Sequence, residues 1–312
     1  MPLRTRTCQV SYVGRRARNE DGVLILENDS QILLALADGM GGHAGGKEAS
    51  RIVLESLAES GRLRKLSDGA SLEETMRGAD EKIRKESRDR PELAGMGSTV
   101  VAVLWNPSRY CWGWAGDSRC YRFREQEAAQ LTLDHTAAQE LAGSRRLTPD
   151  EEQASPYQGL LTRSIGGEGD HDADVAESPE PPRDGEIVLL TSDGLHAFFT
   201  ASEMQAIFQK TSSLQDGVEV LAREAFLRGS NDNISAVGLE VGEFRRQPGP
   251  PTELPEVPNQ ERRENESPPP PARKSSRPDS TVIGILILLL FTLGALAWMV
   301  LDDGAGKWPG SP

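Results

Sequence analysis

The first 244 residues predict an α+β fold, an antiparallel β-sandwich covered by helices. Two observations predict it. Short apolar runs fall into adjacent, hairpin-like pairs, and amphipathic helical spacings are inserted between them two at a time. That order suits packed antiparallel layers rather than a doubly wound parallel sheet.

The elements follow in chain order. Residues 23–26 and 31–37 read as the first strands, the second carrying the apolar run Ile32-Leu33-Leu34-Ala35-Leu36. Ala49, Ile52, Val53, Ser56 and Leu57 then share one helical face, as do Leu72, Met76, Ala79 and Ile83. Strands are predicted over 98–105 and 110–115, turned by Asn106-Pro107-Ser108, and over 119–124. A strand over 187–192, a helix pair over 201–210 and 214–227, and a last strand over 234–241 complete the domain. No internal repeat is present.

Three acids sit where such strands stop. Asp38-Gly39 follows the run ending at Leu36-Ala37, Asp193-Gly194 follows Ile187 to Ser192, and Asp232-Asn233 precedes Ile234. One Asp-Gly alone is a turn; three acids at strand ends, far apart in sequence, predict convergence on a metal. Carboxylate and carbonyl oxygens suit Mg2+ or Mn2+, and no His or Cys cluster favours zinc. Gly39 leaves its carbonyl open to approach. Two such ions, roughly 3.5–4 Å apart, share a carboxylate such as Asp38 and acidify a bridging water.

Bulk composition narrows the functional class. A net charge of -13 and a pI near 4.9, without a basic stripe, exclude nucleic acid as a natural partner. Cys8, Cys111 and Cys120 are an odd set without metal-ligand spacing and read as reduced thiols. None is followed by Arg at the spacing of a Cys-x5-Arg nucleophile loop.

Composition changes near Phe244. From Gln247 to Ser280 the chain is polar and holds ten of the twenty prolines, too little apolar surface to offset the entropy of ordering. Residues 281–301 are uncharged and long enough for a helix to cross a ~30 Å hydrocarbon core. Arg262, Arg263, Arg273, Lys274 and Arg277 precede this stretch, and Asp302, Asp303 and Lys307 follow it. The positive-inside rule then leaves the large N-terminal part in the cytoplasm. The predicted organisation is a domain over 5–244, a Pro-rich linker over 245–280, a transmembrane helix over 281–301 and a short extracytoplasmic tail over 302–312, placing the protein in a plasma or inner membrane by a single pass.

Six ordered motifs carry a family resemblance: Arg16-Ala17-Arg18-Asn19-Glu20-Asp21, Asp38-Gly39-Met40-Gly41-Gly42-His43, Gly97-Ser98-Thr99, Ala115-Gly116-Asp117-Ser118-Arg119, Ser192-Asp193-Gly194-Leu195 and Asp232-Asn233-Ile234. Residues from about 5 to 241 resemble a bacterial PP2C-type (PPM-type) protein serine/threonine phosphatase. The resemblance implies a four-layer α-β-β-α fold and two Mn2+ or Mg2+ ions, with a third, weaker ion in bacterial members. It implies that Asp38 and the Gly39 carbonyl bridge the pair, that Asp193 and Asp232 supply further ligands, and that Asp117 holds the third ion. Glu20 and Asp21 match acids that hydrogen-bond the waters on the ions, and Arg16 matches the phosphate-binding arginine, whose planar fork holds two oxygens at once.

His43 matches the residue that protonates the leaving serine or threonine oxygen after a metal-bridged hydroxide attacks phosphorus; the plainer reading is a cap on the following helix. Arg18 reads as a solvated turn residue and His196, which departs from the family's commoner small polar residue, as local packing. His135 and His171 carry no argument beyond their place in loops, and residues 134–167 match the family's variable flap beside the active site. The implied substrates are phosphoproteins, with a serine/threonine kinase and its targets as partners. The competing readings are a catalytically silent phosphoprotein-binding scaffold of this fold and a different two-metal hydrolase such as a nuclease. The full ligand set opposes the first, and the acidic surface opposes the second.

Overall fold

The computed structural model describes residues 4–41, 45–143, 157, 159–167 and 172–247. Eleven strands among them form two sheets. The first has the order β1 (Thr5–Tyr12), β11 (Ile234–Val241), β10 (Glu186–Thr191), β7 (Arg119–Arg124), β8 (Glu127–Gln130). The second has the order β2 (Asp21–Glu27), β3 (Ile32–Met40), β5 (Val100–Trp105), β6 (Tyr110–Ala115), β9 (Asp174–Glu177), with β4 (Gly97–Ser98) also on β3. Every pairing is antiparallel.

The alternation of a strand explains the layers. On β3, Ile32, Leu34 and Leu36 point between the sheets, where they meet Val101, Val103, Cys120, Val188, Leu190, Val237 and Leu239. Leu33, Ala35 and Ala37 point the other way, against Ala49, Ile52, Val53 and Leu57 of α1 (Gly45–Arg62) and Leu72, Met76, Ala79 and Ile83 of α2 (Gly69–Asp89). On the far side, α5 (Ala201–Lys210) and α6 (Leu214–Leu227) lay Met204, Phe208, Val218 and Leu221 on Val10, Tyr12, Ile187, Leu189 and Ala236. Two shorter helices are α3 (Ala137–Gly143) and α4 (Asp193–His196), and α4 adds Leu195 to that same packing. Helix, sheet, sheet, helix: the expected four layers are present, and burying each large aliphatic side chain contributes roughly 1.5–3 kcal/mol.

Local signals place the helix starts. Asp68 accepts the Ser71 N–H while the Ser71 hydroxyl answers its backbone, and Thr200 and Glu203 make the same box ahead of α5. The Asn106 side chain accepts the N–H groups of Ser108 and Arg109, closing the β5–β6 turn.

Three strands escape the sequence reading. β1 shows only three inward residues, Cys8, Val10 and Tyr12, in a polar run, and β8 and β9 are four residues each. The domain also continues past Phe244. Arg246 pairs with Glu240, itself 1% exposed and also bound by Arg6 at 3.1 Å, and the Gln247 N–H donates to the Gln209 carbonyl. The stretch expected to cross a membrane and most of the Pro-rich linker lie outside the described residues; among those described, no helix is long and apolar enough to cross a membrane.

Removing Arg246 leaves the buried Glu240 carboxylate with the half-exposed Arg6 as its ion-pair partner among the described residues. Arg246→Ala is expected to destabilise the domain by about 3 kcal/mol, measured by chemical denaturation. A change within a few tenths would show that Arg6 alone suffices.

Candidate metal centre

Strand ends from both sheets gather at one pole of the sandwich. Tyr12 closes β1 opposite Ile234, which opens β11, and Asp21 opens β2 opposite Asp38 near the end of β3. Asp117 follows β6, Asp193 follows β10 as the first residue of α4, and Asp232 lies two residues before β11. Asp38, Asp117, Asp193 and Asp232 line one cavity of about 650 Å³ together with Arg16, Arg18, Glu20 and Gly39. Asp21 is not in its lining; it is buried.

Backbone bonds fix each acid. Thr99 interrupts the run from β4 to β5, and the Asp38 N–H donates to its hydroxyl (3.1 Å) while the Asp38 carbonyl accepts the Thr99 N–H (2.8 Å) and the Ser98 hydroxyl (3.0 Å). Next to it, Gly39 meets Gly46 at the start of α1 so closely that a Cβ on Gly39 would stand 2.0 Å from the Gly46 carbonyl oxygen. Only glycine permits that approach of helix to strand. Gly116 adopts φ +104 and a Cβ there would meet Thr99 at 2.7 Å, so the turn carrying Asp117 requires glycine at that position.

Two residues without an expected role tie these segments together. Asn233 accepts the Glu20 N–H (2.9 Å) and donates to the carbonyls of Val13 (3.0 Å) and Arg18 (2.9 Å), holding the Arg16 loop against Asp232. The Ser192 hydroxyl donates to Asp21 Oδ2 (2.9 Å) and accepts the Ser235 N–H (3.1 Å). Arg16 donates to Asp232 Oδ2 (2.5 Å) and to the Asn231 carbonyl (3.1 Å). Glu20 faces the first turn of α1, where the missing Gly46 Cβ leaves room for its carboxylate. Gly159 and Leu161, within the expected flap, line the cavity as well. His43 and His171 lie outside the described residues.

The charge balance is strongly one-sided. Burial first, then repulsion from Asp21, Asp193, Asp117 and Asp232, pushes the Asp38 carboxyl well above the usual aspartate range. Burial and a neighbouring carboxylate raise Asp193 and Asp117 in the same way, and burial raises Asp21. Asp21 Oδ1 and Asp193 Oδ1 are buried and accept no hydrogen bond among the described residues. Such an all-oxygen, electron-rich set fits hard divalent cations. Among the described residues no three of these side chains close around one point as a ready-made cage. They line a roomy cavity instead, the form suited to ions that retain several waters.

A sequence model described as Protein phosphatase 2C matches residues 8–227. The chain is 32% identical over 240 residues to the serine/threonine protein phosphatase PstP of Mycobacterium tuberculosis, covering 73% of this chain but only 45% of that protein's length. It is 30% identical over 231 residues to the serine/threonine phosphatase stp of Listeria monocytogenes, covering 72% of this chain and 91% of that one. Among solved structures, the catalytic domain of PstP in complex with 2 manganese ions superposes with a TM-score of 0.67 at 33% identity, covering 77% of this chain and all of that one.

The raised carboxyls give a signed pH dependence. The folded chain holds protons on them above the usual 3.8, so it binds more protons than the unfolded chain in the window above that value, and stability falls as pH rises through it. Asp38→Asn is expected to raise the Tm of chelator-treated protein, with a larger gain at about pH 8 than at about pH 5. The same variant should lose most of the rise in Tm that Mn2+ gives the parent. Thermal melts across pH check both, and a gain that shrinks with pH contradicts the account.

Proposed function

The chain belongs to the protein phosphatase 2C family, and on that premise we propose that it hydrolyses phosphoserine and phosphothreonine in proteins. The observation that carries this reading is the convergence of Asp38, Asp117, Asp193 and Asp232 with Arg16 and Arg18 on a single open cavity. Asp38, the Gly39 carbonyl, Asp193 and Asp232 would hold two Mn2+ or Mg2+ ions, and Asp117 a third. Bound there, the ions supply positive charge to the phosphoryl oxygens and make water a better nucleophile at neutral pH.

The chain's own groups do the rest. Arg16 reaches the cavity from a mobile-length side chain that is more than half exposed, so its fork is accessible to a phosphate arriving from solvent. Asn233 keeps its loop in place while the guanidinium exchanges partners. Glu20, at the cavity wall, would accept hydrogen bonds from water held there; the buried Asp21 accepts from Ser192 and so holds the start of α4. His43, two residues after Gly41 of the lining, is the group we assign to protonating the departing side-chain oxygen.

We also propose that residues 281–301 anchor the enzyme in a membrane with the catalytic domain cytoplasmic, within reach of a membrane-bound serine/threonine kinase whose products it would reverse. The support is the uncharged stretch and the arginines ahead of it.

With a phosphothreonine peptide and Mn2+, Asp193→Asn is expected to lower kcat by about a thousandfold, the order of charge stabilisation a catalytic cation supplies. Chelator should abolish activity. Arg16→Ala should lower kcat/KM by about 10- to 100-fold, mostly through KM, the loss of a charged hydrogen bond to phosphate. Full activity in Asp193→Asn would sink the metal reading and favour a different mechanism. For the anchor, protease added to sealed inverted vesicles should cut near Pro268; protection there would reverse the orientation.

A further inference from the structure

The peptide groups flanking Asp117 are held by two buried histidines from distant parts of the chain. The Gly116 N–H donates to His135 Nδ1 at 3.2 Å, and the His135 N–H returns a bond to the Gly116 carbonyl at 3.0 Å. Accepting at Nδ1 leaves the ring proton on Nε2, which donates to Asp174 Oδ2 at 3.2 Å. The ring stacks on Trp114, centroids 5.8 Å apart and planes 19° off parallel. From the other side, His196 Nε2 lies 3.1 Å from the Asp117 carbonyl, which can only accept, so this nitrogen carries the proton. His196 is 6% exposed and His135 7% exposed.

Asp117 needs such restraint. Its carboxyl shares the cavity with Asp38, Asp193 and Asp232, so where it points depends on how firmly its turn is held. Gly116 cannot supply stiffness through a side chain. Thr99 fills the space where its Cβ would be, and the Thr99 and Ser118 hydroxyls share a bond of 2.7 Å on the turn's inner side. The bonds from His135 and His196 act directly on the peptide groups of Gly116 and Asp117. His135 reaches further, because its carbonyl accepts the Thr162 N–H and Asp174 also accepts from Arg163. The same histidine thus couples the turn to the segment 159–167, which contributes Gly159 and Leu161 to the cavity wall.

We propose that His135 and His196 are positioning residues for Asp117, bracing the Gly116–Ser118 turn from both sides so that its carboxylate retains a weakly held cation. The proposal rests on the reading of Asp117 as a cation ligand. It assigns His196 a task beyond packing and His135 one beyond loop placement.

The test is Mn2+ binding to the full chain, followed by calorimetry and by the spin resonance of free Mn2+, with Tm measured alongside. Asp117→Asn, His196→Leu and His135→Leu are each expected to weaken the weakest class of Mn2+ sites about tenfold, the lower end of what losing such a supporting bond costs a metal site. The tighter sites should be unchanged. His196→Gln retains an N–H donor and His135→Asn retains an acceptor near Nδ1, so both should stay within about threefold of the parent. If Asp117→Asn leaves Mn2+ binding untouched, the cation role of Asp117 fails. If Asp117→Asn weakens the site while both Leu variants bind like the parent, the brace is overturned and the cation role stands. Equal loss at all sites, with lowered Tm and no rescue by Gln or Asn, also overturns it, because a merely structural role predicts that pattern. Should one Leu variant fail to fold, the other histidine's pair carries the same comparison.

Discussion

Mutual repulsion among buried carboxyls at one pole of the sandwich is the constraint on which the rest of the structure depends. Asp21 is buried, Asp38, Asp117, Asp193 and Asp232 are half-buried around one cavity, and burial together with neighbouring carboxyls disfavours ionisation of the first four. Left to side-chain freedom, they would move apart. They remain together because each is held through its backbone or by a neighbouring hydroxyl: Asp38 through Thr99 and Ser98, Asp21 through Ser192, Asp117 through the Gly116 turn. The rigid β-sandwich behind them supplies the restoring force, and its fully buried Leu34, Leu36, Val188 and Val237 are what make it rigid.

Much of this was legible in the sequence, and the reason is specific. The runs that formed β3, β5, β6, β10 and β11 are apolar on both faces because their sheets are covered on both sides, so they stand out without any alternation. The acids at their ends stand out for the same reason, as charges at the edge of a long apolar run. β1 did not stand out: the face opposite Cys8, Val10 and Tyr12 carries Thr5, Thr7 and Gln9 at the sandwich edge, leaving too few apolar residues to count. β8 and β9, four residues each, are set by pairing to β7 and β6 rather than by their own composition.

The supporting residues were harder to find, and for a different reason. Asn233, Ser192, His135 and His196 act on backbone groups that lie, respectively, 213, 43, 19 and 79 positions away. No local spacing encodes a bond of that kind; it exists only once the strands are in register. His196 was readable as an unusual residue beside Asp193, but its partner, the Asp117 carbonyl, belongs to the other sheet's loop. Asn233 had a better signal, since an amide next to a strand-end acid can both donate and accept, as a clasp between two loops requires.

The opposite pole of the sandwich shows that burial of a carboxylate is not by itself the mark of a functional site. Glu186 is fully buried there, yet Arg124 reaches it at 2.8 Å. Glu240 is almost as buried and is met by both Arg246 and Arg6. At that end the chain neutralises its own buried acids, and the pairs tie strands and tail together. At the other end, Asp38, Asp117 and Asp193 have no ion pair among the described residues, and Arg16 answers Asp232 from a position where it is more than half exposed. One sequence thus treats the same chemical problem in two ways. Evolution of a purely structural pole would favour the first arrangement, because an uncompensated buried acid only destabilises. In the second arrangement the carboxyls are relieved by protons or by cations from outside the chain. A cluster of acids at strand ends therefore points to cations and an anionic substrate where the arginines beside it, here Arg16 and Arg18, are too few to match its carboxyls and stay open to the cavity.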